Sequence, residues 1–149
     1  IVLHGVSMGA ATVLMASGED LPGNVKAVIA DCGYTSEWDE FQREADTLHI
    51  PWFPVLNATS VLSKVRDGYD FRQASALAQV KKSRIPTLFI HGSSDELVPY
   101  SMLGELYAAA ACEKEELTVE GAGHALSSSV APTLYWRTVE DFIAKYLDR

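Results

Sequence analysis

Short apolar runs alternate with longer helical stretches along the chain. The runs predict buried strands at residues 1–4, 25–30, 87–90 and 117–119. Helices are predicted at 8–17, where nearly every position is apolar, at 101–111, and at 132–147, where apolar residues fall on one side. This alternation favours an α/β domain whose parallel strands are joined by right-handed helical crossovers.

A long segment interrupts the alternation between the second and third predicted strands. Residues 33–84 are far more than one crossover needs, and Pro51 and Pro54 divide them into at least two helices. We interpret 36 to about 80 as an inserted helical cap over the catalytic end of the sheet. Its aromatic residues are candidates for substrate binding: Trp38, Phe41, Trp52 and Phe53. The alternative is an elongated crossover with one extra helix.

Composition limits what the chain can do. Its 149 residues are 48% hydrophobic and 21% charged, which is typical of a single globular domain. A net charge of −8 argues against nucleic-acid binding. Cys32 and Cys112 show no CxxC or Cys/His spacing, so we expect neither a disulfide framework nor a metal site. The chain opens without Met inside the apolar run IVL, which predicts that it is the later part of a longer protein.

The pattern GVSMG at residues 5–9 carries the strongest chemical signal. It is a G-x-S-x-G sequence between a predicted strand and a predicted buried helix, where a sharp turn would expose a nucleophilic Ser7. We expect a Cβ at position 5 or 9 to collide with neighbouring backbone. The Met8 N–H, at the helix start, is the candidate oxyanion donor. The alternative is that Ser7 only caps the helix.

A serine nucleophile needs a histidine base and an acid that orients it. His124, in GAGHA after the fourth predicted strand, is the candidate base, and the alternative is a surface loop histidine. Asp95, in HGSSDELVP after the third, is the favoured acid, and Asp31 after the second is its rival. His4 and His49 are expected to be packed or solvated, and His91 to hold the loop that follows it.

The motifs GVSMG, HGSSDELVP and GAGHA, in this order, resemble those of the α/β-hydrolase superfamily, specifically bacterial serine hydrolases similar to prolyl-oligopeptidase-related proteins. The resemblance spans essentially the whole chain and implies the C-terminal half of that fold, a parallel sheet flanked by helices whose strands are the fifth to eighth of eight. It implies Ser7, Asp95 and His124 as nucleophile, acid and base, with no cofactor. The family's second oxyanion donor comes from an upstream loop outside this sequence.

Three functions are compatible with these residues. The leading hypothesis is a serine hydrolase, most simply an esterase, that acts on a small-molecule acyl substrate through an acyl-enzyme. A peptidase of the same fold and a non-catalytic binding module are the alternatives. The apolar first strand, residues 1–4, is also expected to pair at its open edge, either with an upstream half or with a second copy in a homo-oligomer.

Overall fold

A parallel four-stranded sheet forms the centre of the molecule in the computed structural model, which describes residues 1–147. The strands are β1 (Val2–Val6), β2 (Ala27–Asp31), β3 (Thr87–Gly92) and β4 (Lys114–Val119), in the spatial order β1-β2-β3-β4. Every residue of β2 and β3 is buried, as expected of the two central strands. The predicted fold class is confirmed.

Helices cover both faces of the sheet. They are α1 (Met8–Ser17), α2 (Glu37–Thr47), α3 (Trp52–Asp67), α4 (Ala76–Val80), α5 (Ser101–Ala109), α6 (Ser127–Val130) and α7 (Pro132–Leu147), with a 3-10 turn at Phe71–Gln73. Because the strand order advances in one direction, right-handed crossovers place α1, α4 and α5 on the same face. The long amphipathic α7 covers the opposite face.

Alternate residues of the central strands build two separate cores. Val28, Ala30 and Phe89 point towards α1, α4 and α5. Ile29 and Ile90 point to the other face, where α7 supplies aromatic and aliphatic side chains. This division follows from the two-residue period of a strand and makes β2 and β3 apolar at almost every position.

Strand β4 is longer than its sequence pattern predicts. The apolar run indicates only 117–119, whereas the strand begins at Lys114. Lys114, Glu115 and Glu116 are charged, as loop residues often are, but an edge strand tolerates charged side chains because one side of it faces solvent. The apolar pattern therefore predicted only the second half of the strand.

The segment between β2 and β3 is helical, but only part of it stands away from the sheet. Helices α2 and α3 are separated near Pro51, and α3 bends at Phe53, whose φ of −98° and ψ of 127° are non-helical because Pro54 follows it. Ala76 and Val80 of α4 are instead buried in the core that α4 shares with α1 and α5. Helix α4 thus belongs to the core although it lies within the predicted range 36–80, and the cap over the site stays a prediction. No helix within residues 1–147 has the length and apolar character needed to cross a membrane.

Strand β1 has one paired edge among the described residues. The Ser7 N–H donates to the Asp31 carbonyl oxygen at 2.8 Å, so the N–H groups of Leu3 and Gly5 face β2 as well. Those of Val2 and His4 point the other way, beside a half-buried apolar surface. We propose that this edge pairs with further backbone, since it lacks the charges and prolines that protect natural edges.

The first prediction concerns this edge. The 149-residue chain expressed alone is expected to self-associate through β1, measured by size-exclusion chromatography with light scattering. Val2→Pro removes an outward N–H and should shift the chain towards monomer, whereas Leu3→Pro removes a bond to β2 and should unfold it. A wild-type chain that elutes as a stable monomer and unfolds cooperatively would contradict the prediction.

Candidate active site

The turn between β1 and α1 places Ser7 at the carboxyl end of the sheet. Ser7 has φ 55° and ψ −119°, a strained conformation for a residue with a side chain. A Cβ on Gly5 would overlap the carbonyl of Gly9, so the close approach of strand and helix requires glycine at position 5. A Cβ on Gly9 would meet nothing within 4 Å. The expectation of a collision there is wrong, because Gly9 contributes its carbonyl to the contact and its own Cα faces open space.

Ser7, His124 and Asp95 form a continuous hydrogen-bonded line. The Ser7 hydroxyl lies 2.8 Å from His124 Nε2, and His124 Nδ1 lies 2.8 Å from Asp95 Oδ2. These bonds fit a neutral imidazole protonated on Nδ1, which donates to the carboxylate and accepts from the serine. The side chain of Asp95 is fully buried and that of His124 is 19% exposed, so a molecule from solvent can approach the serine end of the line.

The loop after β3 holds Asp95 from several sides. Its Oδ1 accepts the N–H groups of Leu97 and Val98 at 3.0 and 2.9 Å. His91 Nε2 lies 3.0 Å from the Val98 carbonyl oxygen and 3.2 Å from Asp95 Oδ2. The expected structural role of His91 is therefore confirmed, and its direct contact with the Asp95 carboxylate is an addition that the sequence did not indicate.

Asp31, the alternative candidate for the acid, is hydrogen-bonded to Ser127. It is 1% exposed, and its Oδ1 accepts the hydroxyl of Ser127 at 3.1 Å. Burial raises the pKa of its carboxyl group, and the hydroxyls of Ser127 and Tyr135 oppose that change. Of the two carboxylates, Asp95 is thus the one hydrogen-bonded to His124.

The backbone N–H of Met8 is the predicted oxyanion donor. Met8 is the first residue of α1, directly after Ser7. The first N–H groups of a helix have no acceptor within it and lie at the positive end of its dipole. The Met8 N–H is therefore suited to donate to an oxygen that bears negative charge.

Cys32 is the third side chain close to His124 and Asp95. A nitrogen of His124, a carboxylate oxygen of Asp95 and the Cys32 sulfur lie within 4.8 Å of one another, which is a spacing that a metal ion could use. Burial, aided by the negative charge of Asp31, raises the pKa of the Cys32 thiol to about 12. His124 bonds Asp95 through Nδ1 and Ser7 through Nε2, so both ring nitrogens of His124 belong to the hydrogen-bonded line in this structure.

The aromatic residues of the expected cap lie in separate places. Trp38 carries the guanidinium of Arg72 over its ring at 3.7 Å and lines a cavity of about 300 Å³. Phe41 packs edge-on against Phe71, with ring centroids 5.1 Å apart. Trp52 packs edge-on against Phe53, which is 66% exposed. The four candidates do not line one common cavity in the described part of the chain, and their contact with substrate stays a prediction.

Helix α2, which follows β2 in the chain, carries the half-buried Glu40. Burial raises the pKa of the Glu40 carboxyl group, whereas the charges of Arg43 and of protonated His124 act to lower it. The side chain of Glu40 is 12% exposed and forms an ion pair with Arg43 at 3.3 Å. The apolar pattern does not indicate this ion pair between Glu40 and Arg43, since acidic residues at the start of a helix are usually solvated.

Known proteins resemble this chain in sequence and in fold. YqkD of Bacillus subtilis is 33% identical over 146 residues, which are 96% of this chain and 47% of YqkD. The esterase domain of a Rhodothermus marinus protein superimposes with a TM-score of 0.68 at 21% identity, covering 98% of this chain and 60% of that one. The acylaminoacyl peptidase of Pyrococcus horikoshii superimposes with a TM-score of 0.71 at 17% identity, covering 100% and 24%.

The sheet order, the strained serine turn and these superpositions define the C-terminal part of an α/β-hydrolase fold. A family model described as the prolyl oligopeptidase family matches residues 1–149, and the chain belongs to that family. The chain spans less than half the length of YqkD.

The tight turn gives a prediction with a built-in control. Gly5→Ala should lower the free energy of unfolding by about 1–3 kcal/mol or more, because its Cβ meets rigid backbone. Gly9→Ala lies in α1 with open space around it and should be neutral or stabilise by up to about 1 kcal/mol. Urea unfolding of both variants measures the difference, and equal effects would contradict the assigned contact.

Proposed function

We propose that this protein is a serine hydrolase that cleaves a carboxylic ester through an acyl-enzyme. The observation that carries the proposal is the line from Ser7 through His124 to Asp95, with both bonds at 2.8 Å. Membership of the prolyl oligopeptidase family supports it. A binding module would have no use for a serine held in a strained turn and bonded to a buried histidine–carboxylate pair.

In the first half of the reaction Ser7 Oγ attacks the carbonyl carbon of the substrate, and its proton passes to His124 Nε2. The imidazolium that forms is stabilised by Asp95, and the carbonyl oxygen, now an oxyanion, accepts from the Met8 N–H. When the intermediate collapses, the bond to the leaving group breaks and that group takes the proton from Nε2. Ser7 then carries the acyl group as an ester.

The second half repeats these steps with water as the nucleophile. His124 Nε2 takes a proton from water as the water oxygen attacks the acyl carbon. Collapse of the second intermediate breaks the bond to Ser7 Oγ, which regains its proton from His124. The acid product leaves, and every group has returned to its starting protonation state.

The cap is proposed to contact the acyl group. It leaves the sheet at the carboxyl end of β2, the same edge at which Ser7 and His124 lie. Its rings of Trp38, Phe41, Trp52 and Phe53 offer apolar surface, which is what an acyl chain needs. A second candidate function, peptide hydrolysis, is favoured by the family and by the resemblance to an acylaminoacyl peptidase.

Removal of the nucleophile or the acid tests the chemistry. In the full-length protein, Ser7→Ala should abolish both labelling by a fluorophosphonate probe and hydrolysis of a p-nitrophenyl ester. Asp95→Asn should lower kcat by about 10⁴, since the amide favours the wrong imidazole tautomer. Glu96→Gln changes the adjacent exposed carboxylate and should leave kcat unaltered. Labelling that persists in Ser7→Ala would place the nucleophile elsewhere.

The substrate class is tested with an ester and an amide of the same acyl group. An acyl group presented once as an ester and once as the corresponding amide should be cleaved with the higher kcat/KM as the ester, because the ester carbonyl lacks the strong resonance stabilisation of the amide. A higher kcat/KM for the amide or for short peptides would favour the peptidase. Binding of acyl ligands without turnover or labelling would favour the binding module.

A further inference from the structure

A second group of hydrogen-bonded side chains lies beside the Ser7–His124–Asp95 line and takes no part in the proposed reaction. It consists of Asp31, Ser127, Tyr135 and His4, here called the Asp31 network. Asp31 and Tyr135 are each 1% exposed and Ser127 is fully buried. A buried carboxyl group is costly to keep unless it has a task or a full set of partners.

The hydrogen bonds of the network can all be satisfied at once. The Ser127 hydroxyl donates to Asp31 Oδ1 at 3.1 Å. The Tyr135 hydroxyl contacts the Asp31 carboxyl group and lies 3.0 Å from His4 Nε2. If His4 carries its proton on Nε2 it donates to Tyr135, and Tyr135 donates to Asp31, so the carboxyl group accepts from two hydroxyls. Burial lowers the pKa of His4, which favours this neutral form.

Asp31 is hydrogen-bonded both to the serine turn and to the segment that follows His124. Its backbone carbonyl accepts the N–H of Ser7 at 2.8 Å and thereby fixes the strained serine turn. Its side chain holds Ser127, which begins α6 three residues after His124. The intervening Ala125 has φ 57°, so the loop between His124 and Ser127 is itself in an unfavourable conformation that needs support. One residue thus bonds the nucleophile on one side and the histidine loop on the other.

We propose that Asp31 is a positioning residue that sets the separation of Ser7 Oγ and His124 Nε2 by holding the histidine loop through Ser127. The proposal rests on the proposed function, since the separation matters only if these two groups exchange a proton. It assigns to Asp31 a role different from that of an alternative acid, because its carboxyl group bonds Ser127 and Tyr135 while His124 bonds Asp95.

The proposal requires an acceptor at position 31 and does not require a negative charge there. Asp31→Asn retains an oxygen that accepts from Ser127, and Tyr135 can turn its hydroxyl towards His4 and accept from the new amide. Asp31→Ala removes the acceptor, and Ser127→Ala removes the donor with little change in volume. The two alanine variants should therefore behave alike, and the asparagine variant should resemble the wild type.

The experiment measures kcat and KM for a p-nitrophenyl ester with the full-length protein. Ser127→Ala and Asp31→Ala should each lower kcat by about tenfold to a hundredfold with KM nearly unchanged, since a displacement of ~1 Å can cost about 10² in rate. The double variant should lose no more than Asp31→Ala alone, because Asp31→Ala already breaks the bond to Ser127. Asp31→Asn should retain a kcat close to that of the wild type, because its amide oxygen still accepts from Ser127.

Titration with a fluorophosphonate separates a displaced loop from a loss of folded protein. A positioning defect leaves the number of labelled sites unchanged and slows the labelling of each. Fewer sites that react at the wild-type rate would show a purely structural role and overturn the proposal, as would additive losses in the double variant or full kcat in Ser127→Ala. A loss in Asp31→Asn as large as that in Asp95→Asn would make Asp31 the acid. Wild-type protein that does not label at all would instead contradict the proposed function.

Discussion

The close contact between the end of β1 and the start of α1 is the constraint on which the site depends. Gly5 lies against the Gly9 carbonyl with no room for a Cβ, and Ser7 takes a positive φ between them. The turn is stable only because the strand is fixed in a sheet and the helix is packed on it, with Ala10 and Leu14 fully buried. The reactivity proposed for Ser7 is thus a property of the whole β1–α1–β2 unit rather than of one side chain.

The other site residues follow from the parallel sheet. Because all four strands run the same way, the loops that carry Asp31, Asp95 and His124 leave from one edge. Two carboxylates lie at this edge with different partners: Asp95 accepts from backbone N–H groups and from His124, and Asp31 accepts from hydroxyl groups. This division of partners, rather than distance along the chain, decides which of them can orient the imidazole.

The sequence was sufficient wherever a local pattern determined the structure. Apolar runs located the central strands, and G-x-S-x-G located the serine turn, because both signals are contained in a few adjacent residues. It was insufficient where contacts join distant segments. The placement of Ala76 and Val80 against α1, the pairing of His4 with Tyr135 across 131 residues, and the bond from Ser127 to Asp31 have no local signature. The prediction of a collision at position 9 was wrong for a related reason, since a glycine in a motif does not show which of its atoms makes the contact.

Three residues other than glycine have left-handed backbone at this edge of the sheet: Ser7, Cys32 and Ala125, with φ of 55°, 48° and 57°. Each such residue costs roughly 1 kcal/mol or more relative to glycine. Three of the four such residues described in 1–147 therefore lie around the side chains proposed to react, and the fourth, His49, lies between α2 and α3. Under directed evolution for heat tolerance alone, glycine should accumulate at positions 32 and 125 and relax this strain, and the proposed hydrolytic rate would be the property lost in exchange.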